Sequence, residues 1–320
     1  RLSSLLPVLL FFSVVFLRAE APVYVPATAF HVLPETTSDE SGYFSLSESL
    51  DGRIHVGTAK YNDNAFLVEF DPQTGKQRIV LDTNKTCGLT AKGNAAQAKI
   101  HTRNCTGPSG RVYVGSKQGY FSKDDPSEYP GGYVMVYDPR TGHAENLGMP
   151  LGKEGVIDVV ADEKRGRLYV VTCEQQHWMV GTLAGKPWKE LGPMLTPYAA
   201  TLVDSRGVAS AITKEFALAQ FDPESERVMT RPISIEGRVW SRANASSIPI
   251  WQLDPDGRHA WLILMNDPTL LRIDLHSPGK QVTATSHGVM LEGKNPDCRS
   301  ALTLHPDGKL YALIRVDNIT

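Results

Sequence analysis

The chain has 320 residues, with 33 Lys and Arg against 35 Asp and Glu, for a formal net charge of -2. No long basic run supplies the electrostatic footprint of a DNA- or RNA-binding surface, which argues against nucleic acid as a partner. Hydrophobic content of 41% with 27 Gly and 21 Pro excludes a disordered chain and fits a folded, turn-rich one.

At the start, Leu2 to Leu17 form an apolar run behind Arg1, interrupted by Pro7 and followed by Ala19-Glu20-Ala21. The run is short for a membrane span. It has the form of the apolar region of a secretory signal, and Ala19-Glu20-Ala21 has the small-x-small form of a cleavage site. The expectation is therefore a signal peptide over 1–21 and a mature domain over 22–320. That domain would be periplasmic or secreted, with no membrane association after removal of the signal. An uncleaved anchor is the alternative. Because the first residue is Arg rather than Met, the true N-terminus is expected upstream.

Export permits disulfides, and Cys87 with Cys105 would close a modest loop; whether they pair is left open. The other cysteines are Cys173 and Cys298, and no Cys/His spacing suggests zinc. Sequons begin at Asn84, Asn104, Asn244 and Asn318 and matter only in a eukaryotic source.

From residue 40 onward the chain repeats. Gly52, Gly110, Gly166, Gly207, Gly257 and Gly308 recur about 40 to 60 residues apart. Each lies between an alternating segment and a β-rich run, such as Arg53 to Gly57, Arg111 to Gly115, Arg167 to Val171, His259 to Ile263 and Lys309 to Leu313. These read as hairpins with turn residues at the tip, the copy at Val208 being the weakest. A third strand then ends in Asp at Asp71, Asp138, Asp222 and Asp274, and a fourth short strand follows.

Four strands per unit at this period predict the blades of an all-β propeller. A β-sandwich would not repeat the Gly and Asp-Pro signals in phase. The units run over 43–83, 96–151, 153–194, 197–235 and 245–292, with another beginning at 297. The expectation is about five and a half blades of a ring that is seven-bladed when complete, broken off at the C-terminus.

Several segments carry a family resemblance: Asp51-Gly52-Arg53-Ile54-His55-Val56-Gly57, Phe70-Asp71-Pro72-Gln73-Thr74-Gly75-Lys76 and His305-Pro306-Asp307-Gly308-Lys309-Leu310-Tyr311. They resemble blades of exported bacterial propellers, the broad group that includes streptogramin lyase, gluconolactonase-like enzymes and oligogalacturonate lyase. The stretch Ala96 to Arg103, with Tyr113 to Gly119 and Tyr129 to Pro139, is similar to a large and mostly uncharacterised bacterial set of such propellers. The resemblance implies a propeller fold over roughly 40–320. It transfers no catalytic or metal-ligand set, because the ligand sets of those enzymes do not match here residue by residue.

In a propeller the start of each first strand and the loop between the second and third strands share one rim, where functional groups gather. In the second unit Gln97, Lys99, His101 and Arg103 alternate on one face of the inner strand, opposite Ala98, Ile100 and Thr102. The returning loop adds Lys117, Gln118 and Tyr120 and is the longest of the chain.

Two readings of this polar face stand. It is either an anion-binding and proton-transfer patch or an interblade hydrogen-bond network. Under the first, His101, Tyr61 and Arg103 are the candidate catalytic residues. Gln97, Lys99, Lys117, Gln118, Tyr120 and Trp240 are the candidate substrate-binding residues, and Trp240 is either a sugar platform or a packing residue. Weaker rim candidates are Lys60, Asn62, Glu174, Gln175, His177, Tyr198, Arg238, Arg242, Asn266 and Asp267, with Glu48 a channel-facing carboxylate. No metal site is assigned, and the cofactor is left unknown.

The function expected is a lyase for uronic-acid-containing glycans. The alternative is a non-catalytic propeller that binds a glycan or protein, with a metal-dependent lactonase third. The partner expected is an acidic glycan or another small anionic ligand, and the protein is expected to be a monomer.

Overall fold

A computed structural model describes residues 26–38, 45–241, 248–298, 302–305 and 307–317. The chain forms two compact units, Arg1–His31 and Val32–Thr320. In the first, residues 26–31 have no regular secondary structure, and the signal segment expected over 1–21 lies outside the described residues.

The second unit is built of antiparallel sheets taken up in chain order. The first sheet holds β1 (Leu46–Glu48), β2 (Ile54–Gly57), β3 (Phe66–Phe70) and β4 (Gln77–Asp82), and the short helix α1 (Thr83–Cys87) follows. The second holds β5 (Lys99–Ile100), β6 (Cys105–Thr106), β7 (Val112–Lys117), β8 (Val134–Asp138) and β9 (His143–Gly148). The third holds β10 (Val156–Asp162), β11 (Arg167–Thr172), β12 (Trp178–Thr182) and β13 (Gly185–Glu190).

The fourth holds β14 (Leu202–Val203), β15 (Ala209–Ile212), β16 (Ala217–Asp222) and β17 (Arg227–Ile235), with β18 (Arg238–Val239) beside the end of β17. The fifth holds β19 (Pro249–Leu253), β20 (His259–Leu264), β21 (Asp267–Asp274) and β22 (Val282–Val289). A hairpin of β23 (Leu302–Leu304) and β24 (Leu310–Ala312) follows. This is the all-β architecture of propeller blades, and the hairpin at Val208, weakest in sequence, is a regular β14–β15 pair. The outer strands of the fourth and fifth sheets also join in parallel, Ile233 facing Val282.

The turn chemistry accounts for the phase of the repeat. All six tip glycines have positive φ, from 63 to 87°, a region that residues with a Cβ avoid. The Asp-Pro aspartates act locally: Oδ1 of Asp71, Asp138 and Asp222 accepts the backbone N–H two residues on, at 2.9, 3.0 and 3.0 Å.

The core lies between sheets rather than within one. Val112 and Val114 of β7 pack with Leu67, Leu81 and Ile100 toward the first sheet, whereas Tyr113 packs with Val156, Leu168 and Val170 toward the third. Period-two alternation therefore sends neighbouring apolar residues to two different buried faces. Gly115 sits where the third sheet presses closest, since a Cβ there would meet Val156 Cγ1 at 2.3 Å and Thr102 Cγ2 at 2.8 Å.

Candidate functional site

The stretch from Gln97 to Arg103 is not one strand. Its backbone is shared among three sheets. Lys60 N–H donates to Ala98 O (2.9 Å) and Ile100 N–H to Thr58 O (3.0 Å), tying it to the first sheet. Lys99 and Ile100 pair with Lys117 and Ser116 of their own sheet. At Arg103 the chain turns to the third sheet: its N–H donates to Ile157 O (3.3 Å), and it bridges Asp158. The Thr102 hydroxyl accepts the Gly115 N–H (3.0 Å), filling the gap left in the ladder. The alternation expected from sequence survives, but both faces are buried: Gln97 is 0%, Lys99 8% and His101 5% exposed.

The predicted residues divide into two groups. Gln97 belongs to a holding network. Its Nε2 donates to Gly131 O (2.9 Å), and its Oε1 accepts from the hydroxyls of Ser116 (2.7 Å) and Tyr129 (3.5 Å). With Asn94, whose amide nitrogen donates to Ser122 O and Asp125 O at 2.7 and 2.8 Å, it pins the long β7–β8 loop. Arg103 is also held by structure, its Nη1 donating to the carbonyls of Tyr198 (2.9 Å) and Ala199 (3.4 Å). Gln118, half-buried, follows β7, and its backbone meets the buried Tyr129 hydroxyl.

Lys99, His101, Lys117, Tyr61 and Tyr120 come together. Tyr61 and Tyr120 stack with centroids 4.8 Å apart and planes 8° from parallel, and Lys99 Nζ lies 4.5 and 4.9 Å from their ring centroids. Gly119 permits this approach, because a Cβ there would meet Tyr61 Cδ1 at 2.7 Å. Tyr120 and its neighbour Phe121 remain 63% and 69% exposed.

Lys117, across the strand pair from Lys99, donates to Cys173 Sγ at 2.8 Å and lies 4.0 Å from Glu174 Oε1. Burial works against its charge, but Cys173 and Glu174 outweigh burial and raise its pKa. His101 stands edge-on to Tyr198, with centroids 6.4 Å apart. Burial, then the charges of Lys117, Lys99 and Arg103, push its pKa down to about 3, so the imidazole is neutral at physiological pH.

Trp240 is not part of this cluster. It is buried between the fourth and fifth sheets, edge-on to Phe216 at 4.7 Å, as a packing residue in the wall of a separate cavity. His177 is held by Glu190 at 2.7 Å. Arg242 lies outside the described residues. Cys87 and Cys105 are both free thiols, because Cys87 packs toward the first sheet's interface and Cys105 toward the third, on opposite sides of the second sheet. Burial raises their pKa values to about 12 and about 11.

Two residues of the cluster were not anticipated. Cys173 carries no pattern of its own. Asp158 had a signal, a lone carboxylate inside the apolar run Val156-Ile157-Asp158-Val159-Val160. Its Oδ2 accepts the Thr201 N–H at 2.9 Å, and burial pushes its carboxyl up to about 6 against the pull of Arg103. Among the described residues no group of three His, Cys, Asp or Glu side chains converges in a way that could hold a metal ion.

No protein-family model matches the chain, and no curated protein sequence matches it. Among solved structures it is similar to the periplasmic gluconolactonase of Pseudomonas aeruginosa (TM-score 0.53, 15% identity, covering 82% of this chain and 76% of that one). It is also similar to a GH74 xyloglucanase from Xanthomonas campestris (TM-score 0.52, 16% identity, 86% of this chain and 42% of that one). A third is the extracellular domain of a protein described as a hybrid two-component system from B. thetaiotaomicron (TM-score 0.53, 12% identity, 88% of this chain), of which the chain spans 33%. These likenesses show the fold: the chain is a β-propeller.

Proposed function

We propose that this propeller binds an acidic carbohydrate where the first three sheets meet at one rim, and that it does so after export. Lys99 and Lys117 would hold a carboxylate, while the exposed faces of Tyr120 and Phe121 would receive sugar rings. The observation that carries this reading is the Lys99 ammonium set against the stacked Tyr61–Tyr120 pair. It puts a cation and an aromatic platform within one sugar's reach. Similarity to a periplasmic gluconolactonase and to a xyloglucanase supports a carbohydrate ligand and export.

Elimination on a uronate is the second reading, and one observation favours it: His101 is neutral and stands beside Tyr198 and three cations. With its pKa lowered to about 3 it is a weak base. A ligand carboxylate beside Lys99 and Lys117 would offset the part of the depression that comes from their charges, while burial would continue to hold the pKa down.

Calorimetric titration with oligogalacturonate and with a neutral xylo-oligosaccharide, alongside absorbance of an unsaturated product, tests both readings. Selective binding with intact ligand recovered supports a binding propeller. An unsaturated product that disappears in His101→Asn supports the lyase. Failure to bind oligogalacturonate at all overturns both.

A further inference from the structure

Away from the rim cluster, a cavity of about 620 Å³ opens between the outer strands of the fourth sheet and the segment joining β21 to β22. Arg206, Arg227, Arg231, Gln220, Asp222 and His276 are among its lining residues. We propose that this cavity is a second binding site, for the oxyanion group of a small molecule, carboxylate, sulfate or phosphate, with Arg231 and Arg206 as its cationic partners.

Arg231 is the reason. It is 8% exposed, and every partner its guanidinium has is a neutral dipole. Nη1 donates to the carbonyls of Ser277 (2.5 Å) and Gly279 (3.3 Å), Nη2 donates to Gln220 Oε1 (2.6 Å), and Nε is without a partner. Gln220 is itself fixed, its Nε2 donating to Ser210 Oγ and Leu275 O at 3.2 and 3.1 Å, so its oxygen is the end turned to Arg231.

Among the described residues no carboxylate forms an ion pair with Arg231, and those nearby are engaged elsewhere. Asp274 accepts from Arg258 Nε and Nη2 at 2.9 and 2.6 Å and from the His276 N–H at 3.0 Å. Asp204 Oδ2 accepts from Arg206 Nε and Nη2 at 3.1 and 2.8 Å and faces His276 Nε2 at 3.0 Å. Asp222 accepts the Glu224 N–H and the Ser225 hydroxyl.

A buried charge whose hydrogen-bond partners are all dipoles, opposed by Arg206 and offset only at a distance by Asp274, carries a desolvation cost that is compensated only in part. A mobile counter-ion in the adjoining cavity would relieve it, and a guanidinium suits the planar or tetrahedral oxygens of such an ion. Arg206, clamped by the buried Asp204 yet half exposed, supplies a second donor already oriented. The cavity also falls within the range of small-molecule sites, about 300 to 1,000 Å³.

The test uses the full chain and calorimetric titration with sodium phosphate, sodium sulfate and sodium acetate, each against sodium chloride at equal ionic strength. Wild type, Arg206→Gln, Arg231→Met and the rim double variant Lys99→Met/Lys117→Met are compared. We expect at least one oxyanion to bind wild type with Kd of about 1 mM or tighter, weakened about tenfold in Arg206→Gln and lost in Arg231→Met. Binding should persist in the rim double variant, which separates this site from the proposed glycan site. The phosphate, sulfate and acetate arms distinguish tetrahedral from planar ligands. Absence of binding to wild type in all three arms overturns the proposal. So does binding that survives in Arg206→Gln undiminished but vanishes in the rim double variant. Arg206→Gln alters a half-exposed side chain, so the outcome is readable even where Arg231→Met fails to fold.

Discussion

The second and third sheets fill the same kind of slot with very different inner strands. In the third, β10 runs unbroken for seven residues and pairs with β11 along its length, with one irregularity between Val156 and Asp158. In the second, two short pieces, β5 and β6, flank a break from His101 to Asn104, and the broken chain bonds to the sheets on either side. The difference teaches where a repeat can build a site. A regular inner strand keeps its paired backbone groups within its own ladder and lends out the Ile157 carbonyl at its one irregularity. An interrupted one lends them to its neighbours and draws side chains from four sheets together: Tyr61, Lys117, Cys173 and Tyr198.

The largest expected effect comes from the seam between those two strands. Asp158→Ala removes the acceptor of the Thr201 N–H and takes from the half-buried Arg103 its nearby carboxylate, which should cost about 2–3 kcal/mol in a urea titration. Asp158→Asn keeps the acceptor and should cost visibly less. Equal and small losses in both would show that the broken strand does not depend on the seam.

Next in size is ligand affinity. Lys99→Met/Lys117→Met should weaken oligogalacturonate binding by roughly 100- to 10,000-fold, at about 1.5–3 kcal/mol for each charged contact, while leaving neutral oligosaccharides unaffected. Charge-neutralising changes at Lys189 and Arg167 of the third sheet should leave affinity unaltered; an equal loss there would mean that charge acts at long range rather than through the cluster.

The pH dependence separates the two strands again, with opposite signs. His101 has its pKa lowered to about 3, so the unfolded chain takes up that proton first. Its contribution is complete above about pH 6.5 and is lost as pH falls toward 3, at up to about 1.4 kcal/mol per pH unit. Asp158 has its pKa raised to about 6, so the folded chain takes up that proton first. Its contribution is complete below about 3.8 and is lost as pH rises through 6. Relative to wild type between pH 4 and 6, His101→Asn should therefore make stability fall more with rising pH. Asp158→Asn should make it rise more. Denaturation midpoints across that window read both slopes.

The smallest effect is expected at the aromatic platform. Tyr120→Ala should reduce glycan affinity by about 0.5–1.5 kcal/mol and leave the thermal midpoint nearly unchanged, because the ring is exposed. A large drop in thermal midpoint would make the stacked pair a structural clamp instead.

Most of the blade pattern was legible because it is local. A glycine at positive φ in each hairpin tip and an aspartate holding the third-strand turn in four of the units leave marks in sequence that need no neighbour to interpret. Alternation at Gln97, Lys99, His101 and Arg103 was legible for the same reason. What each residue meets was not, since both faces of a blade are buried and period two names a side without naming its contents.

The chain alone thus determined an all-β repeat, its hairpin tips and a cationic, histidine-bearing stretch in the second unit. Only the tertiary structure decided that Gln97 and Arg103 hold loops, that Lys99 meets Tyr61 and Tyr120, that Lys117 meets Cys173 and that Trp240 packs elsewhere. Those contacts join residues from different sheets, and it is the packing of blade against blade, which no local pattern encodes, that brings them within reach.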